Sequence, residues 1–212
     1  MCMKPGLIIS VWLFCCWACQ PQAKFLAPDY IKPGRVAILP TINHTTDVKG
    51  GVVIRHLLYE EMEDEDEFQL VHPDLIDSLL NLEGITDGGQ LSTMPDSVMQ
   101  QVLSADGLLY LNLLECEFST IGISSTRIVK VNFKLYTADH QLLWEDERKV
   151  DKGKSTFDTI LGTLVDPAKA ARESIEDFGK QTGEKAVRMW LTEHELKDEM
   201  LEIIKNSLET LP

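Results

Sequence analysis

The sequence contains few cysteines, and their positions leave no pair for the folded part of the chain. Four of the five lie at or before residue 19, and Cys116 is alone beyond them. An internal disulfide is therefore excluded once the leader is removed, and the fold must be stabilised by packing. Cys116 sits in an apolar predicted strand, which favours a buried, inert thiol over a reactive one.

Long apolar runs are also missing. The apolar run near the N-terminus is too short to span a bilayer as a helix. It extends from Leu7 to Trp17 and is followed, after one alanine, by Cys19. This pattern is typical of a secretory signal peptide that ends at a cysteine. We predict that residues 1–18 are a lipoprotein signal peptide and that Cys19 becomes an N-terminus acylated with palmitate and further lipid.

The leader leaves two alternatives open. Trp17 stands where a lipoprotein signal peptidase prefers a small residue, so the segment could remain as an uncleaved anchor helix or be removed to leave a soluble periplasmic protein. For the lipidated form we expect the periplasmic side of the outer membrane, because Gln20 rather than Asp follows the cysteine.

Positive charge is scarce. The chain has 34 acidic and 20 basic residues, with a formal net charge of -14. Nucleic acid and anionic lipid headgroups would be repelled by such a protein. The most concentrated acidic run, residues 60–67, lacks the glycine and the alternating spacing of a calcium loop, and we interpret it as a solvated cluster into which the preceding helix dissolves.

The sequence also lacks the usual signatures of catalysis and cofactor binding. It has no GxSxG motif, no cysteine and histidine in a nucleophile signature, and no histidine pair at metal-ligand spacing. Gly153-Lys154-Ser155-Thr156 resembles the end of a phosphate-binding loop, but Arg148 occupies the position of its first glycine. We therefore predict a protein that is not an enzyme and has no cofactor and no metal site.

The remaining pattern predicts an α/β domain over residues 33–150, preceded by a tether over 19–32 and followed by a helical C-terminal extension over 151–212 that packs on it. Strands are expected at 35–40, 68–71, 107–118, 127–136 and 142–144, with helices between the first three. The last strands should form an antiparallel hairpin. The predicted fold class is α/β with a mixed sheet of about five strands flanked by helices.

Two groups of residues could form a binding surface. Asn43, Thr45 and Thr46 follow the first strand, at the carboxyl edge where α/β sheets place ligands, although the residue types favour a turn that caps the next helix over a ligand site. The last predicted helix carries an apolar stripe that either docks on the chain's own sheet or meets a partner. The stripe consists of Leu196, Met200, Ile203, Ile204 and Leu208.

Several short motifs occur in an order and spacing that resemble a known family. They are Val36-Ala-Ile-Leu-Pro40, Asn43-x-Thr45-Thr46 with Val48-Lys-Gly50, Ala105-Asp-Gly-Leu-Leu-Tyr110, and Ser124-Ser-Thr126 leading to Leu142-Leu-Trp144. Together they cover roughly residues 33–147. The chain is similar to a family of bacterial lipoproteins of unassigned function, first noted as genome-derived neisserial antigens, whose domain resembles the N-terminal domain of TolB.

The resemblance implies a lipid-anchored α/β domain, with a homodimer as one arrangement, that works beside a CsgG-like lipoprotein in envelope transport or assembly. No catalytic residues come with it. We therefore expect an outer-membrane lipoprotein that acts as a non-enzymatic scaffold or accessory subunit. The alternative is a periplasmic protein that binds a small ligand at the loop of residues 43–46.

Overall fold

The computed structural model describes residues 22–121, 124–137, 139–155 and 194–212. Its centre is a seven-stranded mixed sheet with the strand order β1-β7-β6-β5-β2-β4, and β3 pairs with β5 beside this path. The strands are β1 (Phe25–Leu26), β2 (Arg35–Ile38), β3 (Ile42–Asn43), β4 (Gln69–Val71), β5 (Gly107–Ile121), β6 (Ser124–Tyr136) and β7 (Leu142–Ser155).

Helices cover both faces of the parallel part of the sheet. The helices, numbered over the described residues, are α1 (Gly50–Glu65), α2 (Pro73–Leu82), α3 (Asp96–Leu103) and α4 (Lys197–Leu208), and a 3-10 helix spans Gly88–Thr93. α1 and α4 pack together on one face, in a core that includes Trp144 and Phe133. α2, α3 and the 3-10 helix form a second core on the opposite face, around Leu80 and Met99.

Strand β2 is buried on both sides, as its continuous apolar run predicts. Val36 and Ile38 belong to the first core, whereas Ala37 and Leu39 belong to the second, and all four are fully buried. The strand pairs in parallel with both β4 and β5. The prediction of an α/β fold with a mixed sheet flanked by helices is confirmed.

Strands β5, β6 and β7 form the predicted antiparallel part of the sheet. The register between β5 and β6 shifts at Leu113/Glu115. Such an irregularity shifts the alternation of side chains between the two faces of the strand by one residue. Leu113 and Cys116, which are three residues apart, therefore both lie in the first core. Cys116 is buried as expected, and burial, followed by the negative charge of Asp47, raises the pKa of its thiol to about 12.

Several local features differ from the sequence prediction. β7 continues to Ser155, past the predicted end at residue 144 and into the segment predicted to be helical. The short strands β1 and β3 are additional, since two-residue strands carry no readable alternation. β1 lies inside the predicted tether, because it pairs with residues 144–145 of β7 and Lys24 forms ion pairs with Glu145 and Glu147. Helix α1 continues to Glu65 rather than dissolving into the acidic run, because Met62 within that run is buried in the first core.

The apolar stripe of α4 lies in the first core. Leu196, Met200, Ile203, Ile204 and Leu208 are each at most 7% exposed, and the helix packs on α1, β6 and β7. Of the two alternatives for this stripe, the structure has the first one, in which the stripe docks on the chain's own sheet. The stripe is therefore not available as a partner surface, and the idea of an exposed partner stripe is corrected.

A buried carboxylate fixes α4 to the sheet. Asp146 on β7 is 2% exposed and accepts hydrogen bonds from Ser207 Oγ at 2.9 Å and from Arg148 Nε at 2.7 Å. Thr210, just after the helix, accepts a bond from the indole nitrogen of Trp144 at 3.2 Å. Because a buried charge is tolerated only when it is paired and hydrogen-bonded, these contacts specify where the C-terminal helix docks.

Some predicted segments lie outside the described residues. These are the signal peptide over 1–18, the acylation site Cys19, and residues 156–193 of the predicted helical extension. In the part of the chain that the structure does describe, no helix combines the length and the hydropathy needed to cross a membrane.

Replacing Asp146 should loosen the C-terminal helix. Asp146→Ala leaves the Ser207 hydroxyl and the Arg148 guanidinium without their acceptor, so the free energy of unfolding should fall by about 2 to 3 kcal/mol. Asp151→Ala, an exposed position on the same strand, is the matched control and should cost less than about 0.5 kcal/mol. Urea unfolding followed by far-ultraviolet circular dichroism measures both, and equal losses would contradict the role of Asp146.

Candidate functional site at the end of strand β2

The connections after two neighbouring parallel strands leave the sheet on opposite faces. The chain passes from β2 into α1 on the first face, and from β4 into α2 on the second face. A crevice opens outside the carboxyl ends of the strands at such a switch point, and α/β proteins commonly bind ligands there. The topology therefore places a candidate ligand site in the space between α1 and α2 beyond β2.

A cavity of about 340 Å³ occupies this position. We call it the switch-point cavity. Its wall combines residues after β2, the first turns of α1, and the segment from α2 to the 3-10 helix, including Thr41, Asn43, Gly51, Arg55, Asp77 and Asp87. Gly88 allows this close approach, since a Cβ atom there would stand 2.3 Å from the Thr41 carbonyl oxygen.

The predicted ligand loop contributes to the cavity only through its first residue. Asn43 lines the wall, whereas Thr45 and Thr46 do not belong to it. The Asn43 side chain is engaged within the loop, because its Oδ1 accepts from the Thr45 amide at 2.9 Å and its Nδ2 donates to the Asp47 carbonyl at 2.7 Å. This is the geometry of an Asx turn, which matches the capping alternative of the sequence interpretation.

Asp47 completes the loop and begins α1. Its Oδ1 accepts from the amides of Lys49 and Gly50 at 2.9 and 3.0 Å, and its Oδ2 lies 2.8 Å from His194 Nε2. Partial burial alone would raise the pKa of this carboxyl group. Hydrogen bonds from Gly50 and His194 outweigh that effect, so the pKa of Asp47 is lowered and the group stays ionised.

Asp47, Cys116 and His194 bring three potential metal-ligating atoms within 4.8 Å of one another. The hydrogen bonds assign them a different role. The amide of Leu196 donates to His194 Nδ1 at 3.2 Å, which places the imidazole proton on Nε2, facing Asp47. A histidine that binds a metal through Nε2 needs its proton on Nδ1 instead. This arrangement is that of a hydrogen-bonded triad, and it holds the C-terminal segment against the loop.

Arg55 is the most buried of the charged residues in the cavity wall, and the sequence analysis did not identify it. Its side chain is 7% exposed, its Nε donates to the Ile38 carbonyl at 3.0 Å, and its Nη1 contacts Asp77 at 2.7 Å. Its Nη2 is buried without a hydrogen-bond partner among the described residues. Burial lowers the pKa of Arg55, opposed by the charge of Asp77. The available signal was one arginine inside the apolar stretch 52–58.

The sequence analysis did not predict a second polar cluster either. The Tyr110 hydroxyl donates to the buried carboxylate of Asp96 at 2.6 Å, and His140 Nδ1 contacts the other carboxylate oxygen. The imidazole of His140 stacks on the Tyr136 ring, with 4.8 Å between the ring centres. Burial, followed by Asp96, raises the pKa of Tyr110, so this phenol remains protonated. The cluster ties the turn between β6 and β7 to the start of α3.

Comparisons with known proteins agree with the fold. A family model described as "Putative lipoprotein GNA1162-like" matches residues 27–202. The crystal structure of lipoprotein GNA1162 from Neisseria meningitidis is similar to this chain at 19% identity and a TM-score of 0.53, covering 68% of this chain and 99% of that one. No curated protein gives a significant match.

Two further solved structures are more distant. A PelC dodecamer from Paraburkholderia phytofirmans is 11% identical with a TM-score of 0.47, covering 88% of this chain and 94% of that one. The C-terminal domain of LpoB from Escherichia coli is 15% identical with a TM-score of 0.43, covering 61% and 91%. At these identities a structural likeness concerns the fold and does not transfer function.

The family match extends over most of the chain, from the residue after β1 into α4. It agrees with the motifs in the sequence, and the fold agrees with the crystal structure of a member protein. The protein therefore belongs to the GNA1162-like lipoprotein family.

Proposed function

We propose that this protein is a lipid-anchored component of the bacterial envelope, held at the periplasmic side of the outer membrane, and that it acts as a non-enzymatic scaffold or accessory subunit. The observation that carries the proposal is the lipoprotein-family match over residues 27–202, which begins soon after Cys19, the residue that follows the predicted signal peptide. A CsgG-like lipoprotein, or a second copy of this chain, is the partner to test first.

The position of β1 makes the tether short. Only residues 20–24 separate Cys19 from Phe25, which is paired with β7. At about 3.5 Å for each extended residue, the sheet can lie no more than roughly 20 Å from an acylated Cys19. A partner of this domain is therefore expected close to the membrane surface. Because the chain is strongly acidic, that partner is expected to present basic groups.

The chemistry of the described residues supports a non-enzymatic role. Cys116 and His194 both contact Asp47, but the thiol pKa of about 12 leaves Cys116 protonated at neutral pH, and a protonated thiol is a poor nucleophile. The carboxylates Glu115 and Glu117 lie on β5, and Glu115 is paired with Lys149 at 2.7 Å. Neither the residues around Asp47 nor the two carboxylates on β5 place a general acid and a general base in a closed pocket.

A second candidate function is small-ligand binding in the switch-point cavity. The charged side chains in its wall, Arg55, Asp77 and Asp87, favour it, since ligand pockets combine an apolar lining with a few polar groups that orient the ligand. This role is compatible with the first one, because a scaffold can respond to a ligand through the loop that the cavity shares with α1.

Removing the acylation site should release the protein. In a host with lipoprotein processing, the wild-type protein should fractionate with membranes and carry the mass of its acyl chains, while Cys19→Ala should lose both. Cys16→Ala is the matched control and should stay anchored. Membrane fractionation with intact-mass spectrometry makes the comparison. Unmodified, soluble protein from the wild-type gene would contradict the anchoring proposal.

The short tether predicts that one sheet edge faces the membrane. Phe25 is 40% exposed on β1, and Leu82 is 81% exposed at the end of α2, which packs near the opposite edge. A photo-crosslinking amino acid at position 25 should capture lipid or an envelope protein in living cells more often than one at position 82, because position 25 lies within the reach of the short tether. Equal capture at the two positions would argue against a membrane-proximal β1.

Filling the cavity should abolish any ligand response. Gly51 lines the cavity, and a Cβ atom there meets its neighbours at 3.5 Å or more, so Gly51→Ala should fold with unchanged or slightly higher stability. Gly51→Leu should remove the increase in melting temperature that a binding metabolite gives the wild type. A thermal-shift screen measures this, and an undiminished response in Gly51→Leu would place the ligand elsewhere.

A further inference from the structure

We propose that residues 25–31 rest directly on the lipid bilayer, and that the side chains of Phe25, Leu26 and Ile31 enter its interfacial layer beside the acyl chains of Cys19. We call these three side chains the apolar edge. The inference rests on the proposed lipid anchor. It adds a second, non-covalent contact with the membrane that orients the domain.

The apolar edge is exposed to solvent. Phe25 is 40% exposed, Leu26 45% and Ile31 79%. Strand alternation directs Phe25 and Leu26 to opposite faces of the sheet, where they are aligned with residues 145 and 144 of β7. Single exposed apolar residues are normal on a protein surface, whereas three large ones in so short a segment indicate a surface that makes contact.

The segment that carries the apolar edge is fixed to the domain. The amide of Ala27 donates to the Leu143 carbonyl at 2.9 Å, and the amide of Tyr30 donates to the Ala27 carbonyl at 3.1 Å. The Tyr30 ring packs against the first core, and its hydroxyl donates to the main-chain oxygen of Pro212 at 3.2 Å. Because the apolar edge moves with the sheet, its contact with a bilayer would set the orientation of the whole domain.

The length of the tether identifies the bilayer as the surface that meets the apolar edge. Five residues separate Cys19 from Phe25, so Phe25 lies no more than roughly 20 Å from the acylated residue. Lipid is within this distance whenever the protein is anchored. Acyl chains combined with a second membrane-binding element give stable attachment, which a single weak signal does not.

The charges around the apolar edge favour an apolar contact over an electrostatic one. Lys24 forms ion pairs with Glu145 and Glu147, and Lys32 forms one with Glu67 at 2.5 Å. Both lysines of the segment are therefore neutralised by carboxylates of the domain. Since the chain also carries a net charge of -14, the contact should form on neutral phospholipids and should not require anionic headgroups.

Two features limit the depth of the contact. β1 is the last strand of the sheet, so its outer backbone groups face no neighbouring strand among the residues that the structure describes. Asp29 is exposed just after this strand. Unpaired backbone groups and a carboxylate are costly in hydrocarbon, where no water can bind them. The apolar edge therefore reaches the layer of headgroups and upper acyl chains and goes no deeper.

A fluorescent label on the natively acylated full chain tests the contact. An environment-sensitive fluorophore is attached in Phe25→Cys, and in Leu82→Cys as a control position that is 81% exposed at the end of α2. Cys116 should not react, because it is buried and its thiol pKa is raised to about 12. On phosphatidylcholine vesicles that contain a nitroxide-labelled lipid, quenching at position 25 should be at least about twice that at position 82 and should persist at high salt.

A charge in the apolar edge should weaken the contact. Ile31→Asp should reduce the lipid quenching at position 25 at least about twofold, because a carboxylate resists transfer out of water. Val48→Asp is the matched control, since Val48 is 85% exposed in the loop before α1, and it should leave the quenching unchanged. The melting temperatures show that both variants are folded. Unchanged quenching in Ile31→Asp would contradict the inference.

The remaining outcomes separate this inference from the proposed anchor. Equal quenching at positions 25 and 82 on vesicles that retain the protein would overturn the membrane contact and leave the anchor intact. Protein that does not stay on the vesicles would overturn both. A change in emission at position 25 without quenching by the lipid would also overturn the inference, because it would show that protein, such as a second copy of the chain, covers the segment.

Discussion

The structure depends on the burial of strand β2 on both faces. Four consecutive apolar residues, 36–39, divide between the two cores, so helices must cover both sides of the sheet at this point. Because α1 and α2 then leave neighbouring strands in opposite directions, the carboxyl end of β2 opens into a cavity. The same constraint that stabilises the fold therefore also produces the switch-point cavity.

β1 and the C-terminal helix α4 both pack on the antiparallel part of the sheet. β1 covers the free edge of β7 and shortens the link to Cys19, while Asp146 and the triad around Asp47 fix the C-terminal helix over the first core. The C-terminal segment thus reaches the loop that borders the switch-point cavity. A ligand in the cavity and a partner at the membrane would act on elements that share this loop.

The elements with clear periodicity could be predicted from the sequence. The buried run of β2, the alternation of β6 and the proline at the start of α2 each specify local structure by themselves, and the family motifs add the mixed sheet. β1 and β3 were missed because two residues give no pattern. The groupings of Asp47 with His194 and of Asp96 with His140 depend on pairs 147 and 44 residues apart, which only the folded chain brings together.

The central claim is that this is a domain held close to a membrane by an acylated Cys19 and a short tether. Neutron reflectometry of the native, membrane-extracted protein on a supported bilayer tests it most directly. The account predicts protein density that begins within about 20 Å of the lipid headgroups, the reach of five to six extended residues. A wide, solvent-filled gap between bilayer and protein, or the absence of stable binding to the bilayer, would contradict it.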